Sequence, residues 1–389
     1  NCNIVGVLTA DAPALFYNTV RNVALGTIDP YDLVFDAYGH AYPLITENVY
    51  TDMSKIKTIN FENPWWDQNA REDLSIANKL YFMCGDINTY DNDGTWVIYF
   101  NKDLAAKSLP GVDLYKLVEN NQWTFDKFVE LCKGVTSDTD GIEGLSEFDT
   151  WGFGTEAYNA YVHVLASGQK IVQKDSNDIP FLSFKTDAMY KVLGDVMEFY
   201  TDLDTVMVAN AGRFDNKGYA SVWEETIIKA FREKRELFYM GGLINIVGYR
   251  SLDFKFGILP IPKATAEQDS YHHSVSMHNM SVLLMPLTSN NYEDLGLVVE
   301  ALGAESKNIL TPVYYDKCMK GKDASDSEDE KMLDLIFASR TYDLGSVFNW
   351  GGVINQFMTI DNNFASRFNA IYDKAQSELE QTLEFFQND

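Results

Sequence analysis

The residues best suited to hold a small molecule are aromatic side chains that stand beside carboxylates at the ends of predicted strands. A flat ring can cover the apolar C–H face of a sugar, while carboxylates and amides hydrogen-bond to its hydroxyls. Any one of these rings would more often be core packing, but as a set they predict a ligand cleft. The set comprises Tyr38 and His40 after Asp36, Trp65, Trp66, Trp96, Tyr158 after Glu156, and Trp350.

Motifs of common enzyme classes are missing from the sequence. It contains no G-x-S-x-G elbow, no H-E-x-x-H pair, no Walker loop and no G-x-G-x-x-G after a strand. We therefore expect a binding protein without catalytic residues and without a cofactor.

One acidic segment resembles a calcium-binding loop. Asp138, Asp140 and Glu147 fall at the third, fifth and twelfth positions of an EF-hand-like stretch, with Gly141 where such loops turn. The first position is Thr136 rather than an aspartate. An acidic surface turn is therefore the favoured interpretation, and calcium binding remains the alternative.

Histidines and cysteines give no clear metal site. His272, His273 and His278 lie close together, but no cysteine or carboxylate stands at ligand spacing among them, which favours an ordinary loop cluster. Cysteines stand at 2, 84, 132 and 318 without a C-x-x-C pair. This spacing argues against structural zinc and against a disulfide-rich scaffold, and leaves their pairing open.

The overall charge excludes polyanionic partners. In 389 residues, 57 Asp and Glu outnumber 31 Lys and Arg, which gives a net charge of −26. A surface this acidic repels nucleic acid and anionic membranes.

Hydrophobic patterns predict an α/β fold. A buried strand at Ile4–Leu8 is followed by a helix that begins near Asp11 and Pro13, and then by a second strand at 32–36. Further strands are predicted at 79–83, 95–100, 237–240, 254–259 and 282–285. Helices are predicted at 67–77, 124–133, 186–200, 219–234, 292–303, 328–339 and 364–385. Residues 101–103 and Leu259–Pro262 are hinge candidates, the second because two prolines exclude helix.

An ordered series of short motifs resembles the extracellular solute-binding proteins that deliver sugars to ABC importers, the maltose-binding-protein-like family in its Gram-positive form. The motifs are YDLVFD at 31–36, NPWWDQ at 63–68, KLYF at 79–82 with Gly85-Asp86, IYFNKD at 98–103, NQWTFDKF at 121–128, WGF at 151–153, LFYMGG at 237–242, GILPIP at 257–262 and EKMLDLIF at 330–337 leading to Asn349-Trp350. Each is weak alone, but their order and spacing are specific.

The resemblance implies a two-lobed type II periplasmic-binding-protein fold with a hinge of crossover segments. Lobe one would contain residues 1–102 and 262–311, and lobe two residues 103–261 and 312–389. Relative to the family, a signal sequence and the first strand and helix are expected to be missing before Asn1.

The family also implies a function. The chain would be a monomer that carries a sugar or oligosaccharide to the transmembrane subunits of an ABC importer. It would work at the extracellular face of the membrane on an N-terminal lipid, or in the periplasm.

The resemblance further assigns site residues. Asp36 and Tyr38 would contact sugar from lobe one, Glu156 and Tyr158 from lobe two, and Trp350 near the C-terminus. Asp86, Gly242 and Asn349 join the site through the motifs that contain them. Leu243 departs from the family pattern because many members carry Trp there.

Two alternatives remain open. A cleft of this kind could hold a peptide, a polyamine or a metal chelate, and the negative charge would suit a cation. A glycoside-active enzyme would need two carboxylates across the scissile bond. Glu156 and Asp36 could form that pair, but the inferred fold places them on lobes that move apart.

Overall fold

The structure is a computed structural model, which describes residues 3–7, 21–27, 31–214, 218–249, 251–277, 280–289, 291–314 and 327–388. The strands are β1 (Val34–Ala37), β2 (Trp96–Asn101), β3 (Trp151–Thr155), β4 (Val172–Lys174), β5 (Pro180–Leu182), β6 (Val206–Val208), β7 (Glu236–Gly242), β8 (Phe256–Leu259), β9 (His273–Ser274), β10 (Ser281–Leu284) and β11 (Arg340–Thr341). The N-terminal helices are α1 (Tyr38–Thr46), α2 (Gln68–Leu74), α3 (Tyr90–Asp93), α4 (Lys102–Ser108), α5 (Leu114–Glu119), α6 (Phe125–Lys133), α7 (Asn159–Ala166) and α8 (Asp187–Tyr200). The remaining helices are α9 (Val222–Glu225), α10 (Ile227–Arg232), α11 (Ile246–Tyr249), α12 (Tyr292–Glu305), α13 (Thr311–Val313), α14 (Ser327–Ala338), α15 (Leu344–Phe348), α16 (Val353–Phe357) and α17 (Phe364–Asn388).

A five-stranded sheet in the order β6-β3-β7-β2-β8 organises the larger half of the molecule. β3 runs parallel to both β6 and β7, whereas β2 runs antiparallel to β7 and β8. The carboxyl ends of β3, β6 and β7 therefore lie at the same edge as the start of β2, and Trp96 pairs with Gly242 there. The carboxyl end of β8 lies there too, so five chain segments converge at this edge.

The central strands are apolar because helices cover both faces of the sheet. Every residue of β2, β3 and β7 is buried, as expected for strands with two covered faces. Phe128 of α6 lies 4.9 Å from the Phe153 ring of β3 in an edge-to-face contact. Thr124 accepts a hydrogen bond from the backbone N–H of Lys127, and this N-cap fixes where α6 begins.

The smaller half is built around the antiparallel pair β1–β10. Beside the main core it has a second cluster of buried side chains, which includes Trp66, Met83, Leu283 and Val299. Gly303 of α12 is required for close packing there, because a Cβ at that position would lie 2.4 Å from Cδ1 of Trp65.

Several predicted elements are confirmed with shifts of a few residues at their ends. They are the strands at 32–36, 95–100, 237–240, 254–259 and 282–285, and the helices at 67–77, 124–133, 186–200, 292–303, 328–339 and 364–385.

Three predicted elements differ from the structure. The predicted strand at Ile4–Leu8 is wrong for its described part, since residues 3–7 are exposed and form no strand. The start of the helix predicted from Asp11 lies outside the described residues, whereas residues 21–24 at its far end are helical. Residues 79–83 form only isolated bridges, at Lys79 and Met83, and the predicted helix at 219–234 divides into α9 and α10 because Thr226 has ψ −95°.

The predicted boundary between lobes at residue 102 divides the large sheet. It assigns β2 to lobe one, yet β2 hydrogen-bonds to β7 and β8, which it assigns to lobe two. We therefore propose that the first crossing lies before Trp96, and the rest of the predicted division stays a prediction.

Arg340 binds carboxylates of the smaller half through a buried ion-pair network. Its Nη2 lies 2.8 Å from Oδ2 of Asp67, and its Nη1 lies 2.9 Å from Oδ2 of Asp91. Asp67, Cys84 and Asp91 are close enough together to hold a metal ion, but here the guanidinium supplies the positive charge. Burial raises the pKa of Asp91 to about 6, although Arg340 opposes that rise.

The residues after Arg340 bind both halves. Tyr342 donates its hydroxyl to Asp67 at 2.8 Å, whereas Asp343 accepts hydrogen bonds from the Tyr161 hydroxyl at 3.0 Å and the Ile171 N–H at 2.6 Å. Segment 340–343 thus joins the β1–β10 half to the large-sheet half.

Arg340→Met should destabilise the protein by about 3–5 kcal/mol at pH 8, because it leaves two buried carboxylates without their cation. The loss should be smaller at pH 5, where Asp91 can be protonated. Urea unfolding at both pH values measures this. Arg340→Lys keeps the positive charge but not the forked guanidinium that contacts both carboxylates, so its loss of stability should be intermediate. A smaller loss of stability for Arg340→Met than for Arg340→Lys would contradict the role of the network.

Glu236 is a buried carboxyl group with no partner among the described residues. It is 0% exposed at the start of β7, and both its oxygens lack a hydrogen bond. Burial raises its pKa well above the ordinary value, and nearby Arg235 only partly opposes this. The folded protein therefore retains a proton that the unfolded chain releases above its ordinary pKa of about 4.3.

Glu236→Gln should stabilise the protein increasingly as the pH rises above about 4.5. In the wild type, Glu236 by itself lowers the stability by at most about 1.4 kcal/mol per pH unit while only the folded state keeps its proton. Glutamine has no proton to lose, so this slope should disappear. Urea unfolding from pH 4.5 to 8 tests it, with exposed Glu143→Gln as the control; equal slopes in the wild type and Glu236→Gln would refute the assignment.

Candidate binding site

A cavity of about 530 Å³ opens at the converging edge of the large sheet. Its volume lies within the ~300–1,000 Å³ typical of small-molecule sites. The lining residues are Trp96, Glu156, Tyr158, Asn210, Trp223, Ser276, Met277, Asn349, Ile354, Asn355 and Met358.

The sheet places four of these residues. Glu156 and Tyr158 follow β3, Asn210 follows β6, and Trp96 is the first residue of β2. Asn210 Oδ1 accepts the Ala157 N–H at 2.8 Å, which fixes the segment after β3 to the segment after β6. The antiparallel placement of β2 thus brings Trp96 to the carboxyl ends of the parallel strands.

Two other parts of the chain complete the lining. Ser276 and Met277 follow β9, and the Met277 carbonyl accepts the Gly39 N–H of α1 at 2.9 Å. This contact ties the cavity to the smaller half. Asn349 ends α15 in a left-handed conformation (φ 47°, ψ 39°), and its Oδ1 accepts the Ile354 N–H at 2.9 Å.

Aromatic rings form much of the wall. The rings of Trp96 and Tyr158 lie 5.9 Å apart with an interplanar angle of 36°. The indole N–H of Trp96 is buried without a hydrogen-bond partner among the described residues. Trp223, which is 41% exposed, donates its indole N–H to Oε2 of Glu156 at 2.8 Å.

Glu156 is the one carboxylate among the described lining residues, and no Lys, Arg or His is among them. Burial raises the pKa of Glu156, and the hydrogen bond from Trp223 lowers it by a smaller amount. The same carboxylate helps to raise the pKa of Tyr158, after burial itself. The cavity is therefore rich in rings and amides and carries negative charge.

Four of the residues predicted for the site line this cavity: Trp96, Glu156, Tyr158 and Asn349. Gly242 lies at the same sheet edge, opposite Trp96, but does not line the cavity. A Cβ on Gly242 would lie 3.2 Å from the Asp93 carbonyl oxygen, so its small size serves packing against α3.

The structure places Trp66 and Trp350 in packing rather than at the cavity, which differs from the sequence prediction. Each is 3% exposed. The Trp66 indole donates to Glu300 at 2.9 Å, and the Trp350 indole donates to Thr382 at 3.0 Å. Both rings have their polar atom satisfied inside the protein and offer no face to a ligand.

The other predicted residues lie in the smaller half, outside the cavity lining. Trp65 packs against Gly303, and Asp86 binds Lys307 and Thr311 at 3.1 and 2.6 Å. His40 is 4.0 Å from Asp36. Only the backbone of Tyr38 is described.

Asp36 keeps an unsatisfied oxygen although it does not line the cavity. Its Oδ1 accepts the Ala37 N–H at 2.7 Å, and its Oδ2 is buried without a partner among the described residues. Burial raises its pKa, against the opposing effects of Ala37 and His40.

Sequence reasoning missed Asn210, Trp223, Ser276, Met277 and three residues of the α16 region: Ile354, Asn355 and Met358. Asn210 could have been found by recognising the short strand β6 before it. Trp223 had no such signal, since it lies on a four-residue helix. Leu243, which departs from the family pattern in the sequence analysis, is fully buried.

The acidic residues that lie together in the structure are not the same set as those of the predicted calcium-binding loop. Asp138 and Asp140 cluster with Asp149 rather than with Glu147, which accepts the Tyr219 hydroxyl at 2.5 Å. Burial by itself raises the pKa of Asp149. Hydrogen bonds from the backbone N–H groups of residues 139, 146 and 140 have the larger combined effect, so the pKa of Asp149 is lowered. The hydrogen bonds suit the predicted acidic turn.

Histidines of the 272–278 group are engaged in packing where they are described. His273 Nε2 accepts the Ile261 N–H at 3.1 Å, and His272 Nδ1 lies 3.1 Å from the Thr341 hydroxyl. His278 lies outside the described residues, as do Cys2 and Cys318. Cys84 and Cys132 are buried free thiols.

A sequence profile identifies the family. The profile of the bacterial extracellular solute-binding proteins matches residues 5–294, about three quarters of the chain. The chain belongs to this family. No curated protein sequence matches it significantly.

Solved solute-binding proteins share the fold of this family member. The maltose/maltodextrin-binding domain MalE of Bdellovibrio bacteriovorus, bound to maltotriose, matches with a TM-score of 0.58 and 14% identity over 97% of this chain and 91% of that one. The sugar-binding protein MalE of Xanthomonas citri matches with a TM-score of 0.60 and 11% identity over 96% and 88%. An ABC transporter solute-binding protein of Thermotoga lettingae, bound to α-D-tagatose, matches with a TM-score of 0.56 and 13% identity over 95% and 90%.

These matches confirm the predicted two-lobed periplasmic-binding-protein fold. Within the described ranges, no helix combines the length and hydrophobicity needed to cross a membrane.

Asn349→Ala should destabilise this solute-binding protein more than Asn349→Gly, by about 1 kcal/mol. Both variants lose the hydrogen bond to Ile354, but only alanine must place a Cβ in the left-handed conformation. Urea unfolding of the two variants makes the comparison. Equal stabilities would show that the left-handed conformation is not maintained.

Proposed function

We propose that this protein is the substrate-binding component of a carbohydrate ABC importer, and that it binds a sugar in the cavity at the sheet edge. The observation that carries the proposal is the lining itself, in which Trp96, Tyr158 and Trp223 surround a group of amides and one carboxylate. It is also supported by family membership and by relatives bound to maltotriose and tagatose.

The lining suits the two kinds of surface on a sugar ring. Indole and phenol rings can cover its apolar face. The side chains of Asn210, Asn349 and Asn355 can each donate and accept hydrogen bonds, and Glu156 can accept from hydroxyl groups. The unpartnered Trp96 N–H adds one more donor for a ligand oxygen.

Ligand binding would couple to lobe closure. The cavity takes lining residues from both predicted lobes: Ser276 and Met277 on one side, Glu156 and Asn349 on the other. A ligand that contacts both lobes binds the closed state more tightly and shifts the population towards it. The transmembrane subunits of the importer would recognise that state. A monomeric protein with an N-terminal lipid tether completes the proposal.

A glycoside hydrolase is the less favoured function. Hydrolysis needs two carboxyl groups across the scissile bond, up to roughly 9.5 Å apart. Of the pair considered from the sequence, Glu156 lines the cavity and Asp36 does not.

A saccharide panel tests the proposal. The melting temperature of the protein is measured with maltotriose, tagatose and a range of mono- and oligosaccharides, and with spermidine as a non-sugar cation. At least one saccharide should raise it, because a ligand present at 100 times its Kd stabilises the folded state by about 2.7 kcal/mol. Trp96→Ala and Tyr158→Ala should abolish the shift.

Controls separate the cavity from the remaining predicted residues. Asp86→Asn, outside the cavity, should keep the full ligand-induced shift, and Trp350→Phe should lower stability while keeping the ligand's effect. A shift with spermidine and none with any saccharide would refute sugar binding. Shifts that persist in both cavity variants would refute the assigned site.

A further inference from the structure

Among the described lining residues of the cavity, Glu156 is the one charged group, and none of the others can serve as its counter-ion. Glu156 is half-buried, and its Oε2 accepts the Trp223 indole N–H. The other lining residues are neutral: three asparagines, Ser276, two tryptophans, Tyr158 and three apolar side chains. Burial raises the pKa of Glu156, and the hydrogen bond from Trp223 opposes that rise.

Such a wall discriminates between ligands by charge. A ligand carboxylate or phosphate would be desolvated beside a carboxylate, with no Arg or Lys among the described lining residues to pair with it, which is costly in a partly buried site. A hydroxyl group can instead donate to the Glu156 oxygens, and an ammonium group would form a charge-assisted hydrogen bond with them. The net charge of −26 acts in the same direction at long range.

We propose that Glu156 is a specificity-determining residue that restricts the ligand to neutral or amino sugars and rejects uronic acids and sugar phosphates. This inference rests on the proposed function, because it names the class of sugar that the same cavity takes.

Trp223 is the positioning residue for this selection. Its indole N–H occupies Oε2 of Glu156 and leaves Oε1 without a donor among the described residues. The hydrogen bond fixes the carboxylate against the wall, so that one oxygen is presented to the ligand. Trp223 lies on the short helix α9, whereas Glu156 follows strand β3. Their hydrogen bond therefore joins two separate segments of the chain.

Matched sugar series test the selection. Each series contains a neutral sugar, its 2-amino derivative and its C6 uronate, built on glucose, galactose and mannose, as monosaccharides and β-1,4 dimers. Titration calorimetry at pH 7.5 should give a Kd for the uronate that is at least about tenfold higher than the Kd for the neutral sugar. The Kd for the amino sugar should be equal to that for the neutral sugar or lower. In Glu156→Gln the uronate should come within about threefold of the neutral sugar, and the amino sugar should lose its advantage.

Glu224→Gln is the matched control. It removes one negative charge from the same helix as Trp223, but Glu224 is not in the cavity lining and pairs with Arg232. It should leave the discrimination unchanged, which separates a local effect from the long-range field.

A double-mutant cycle tests the role of Trp223. Trp223→Phe keeps an aromatic ring and removes the indole N–H. Introduced into the wild type, it should lower the affinity for a neutral sugar about fivefold; introduced into the Glu156→Gln variant, it should lower that affinity little. Equal losses in both backgrounds would refute the positioning role.

The outcomes for the selection and for the proposed function are distinct. If neutral sugars bind and uronates bind equally well, or if Glu156→Gln leaves the ratio unchanged, the charge selection is refuted while sugar binding stands. If no sugar of the panel or the series binds, the proposed function is refuted and the selection with it. If only the uronates bind, the charge selection alone is refuted.

Discussion

The direction of β2 is the constraint on which the rest of the site depends. Because β2 enters the sheet antiparallel between β7 and β8, its first residue lies where the parallel strands β3, β6 and β7 end. Ligand sites of α/β proteins are commonly found beyond the carboxyl ends of parallel strands. Here the antiparallel strand adds a tryptophan to that edge, facing a carboxylate, a tyrosine and an asparagine from its neighbours. Burial of both faces of the strands keeps this edge fixed.

A second constraint is the continuity between the two halves. Segment 340–343 hydrogen-bonds to carboxylates of the β1–β10 half through Arg340 and Tyr342, and to the large-sheet half through Asp343. These contacts hold the segment against both halves of the molecule. Its buried ion pairs favour one geometry because breaking them would leave charges unpaired in a low-dielectric interior.

Much of the fold could be predicted from the sequence, and less of the site. Capped amphipathic helices such as α6 and α8 and the apolar strands β2 and β7 carry strong local patterns, so they were found. Glu156, Tyr158 and Trp96, which line the cavity, could be predicted because they stand next to such strands. Trp66 and Trp350 were misplaced because a tryptophan in a turn has the same local sequence whether its indole faces a ligand or a buried partner such as Glu300. Trp223 was missed because its role arises from a hydrogen bond across 67 residues of sequence.

The distribution of tryptophans has a spectroscopic consequence. Of the seven in the chain, Trp96 and Trp223 line the cavity, whereas Trp66, Trp123, Trp151 and Trp350 are each no more than 3% exposed within the protein. The seventh, Trp65, is half-buried away from the cavity. The buried indoles provide a constant emission background that solvent cannot reach. Trp223, 41% exposed, emits from a wet environment that any occupant of the cavity would displace. The protein therefore carries its own fluorophore at the mouth of the cleft, and a blue shift of its emission reports occupancy without a label.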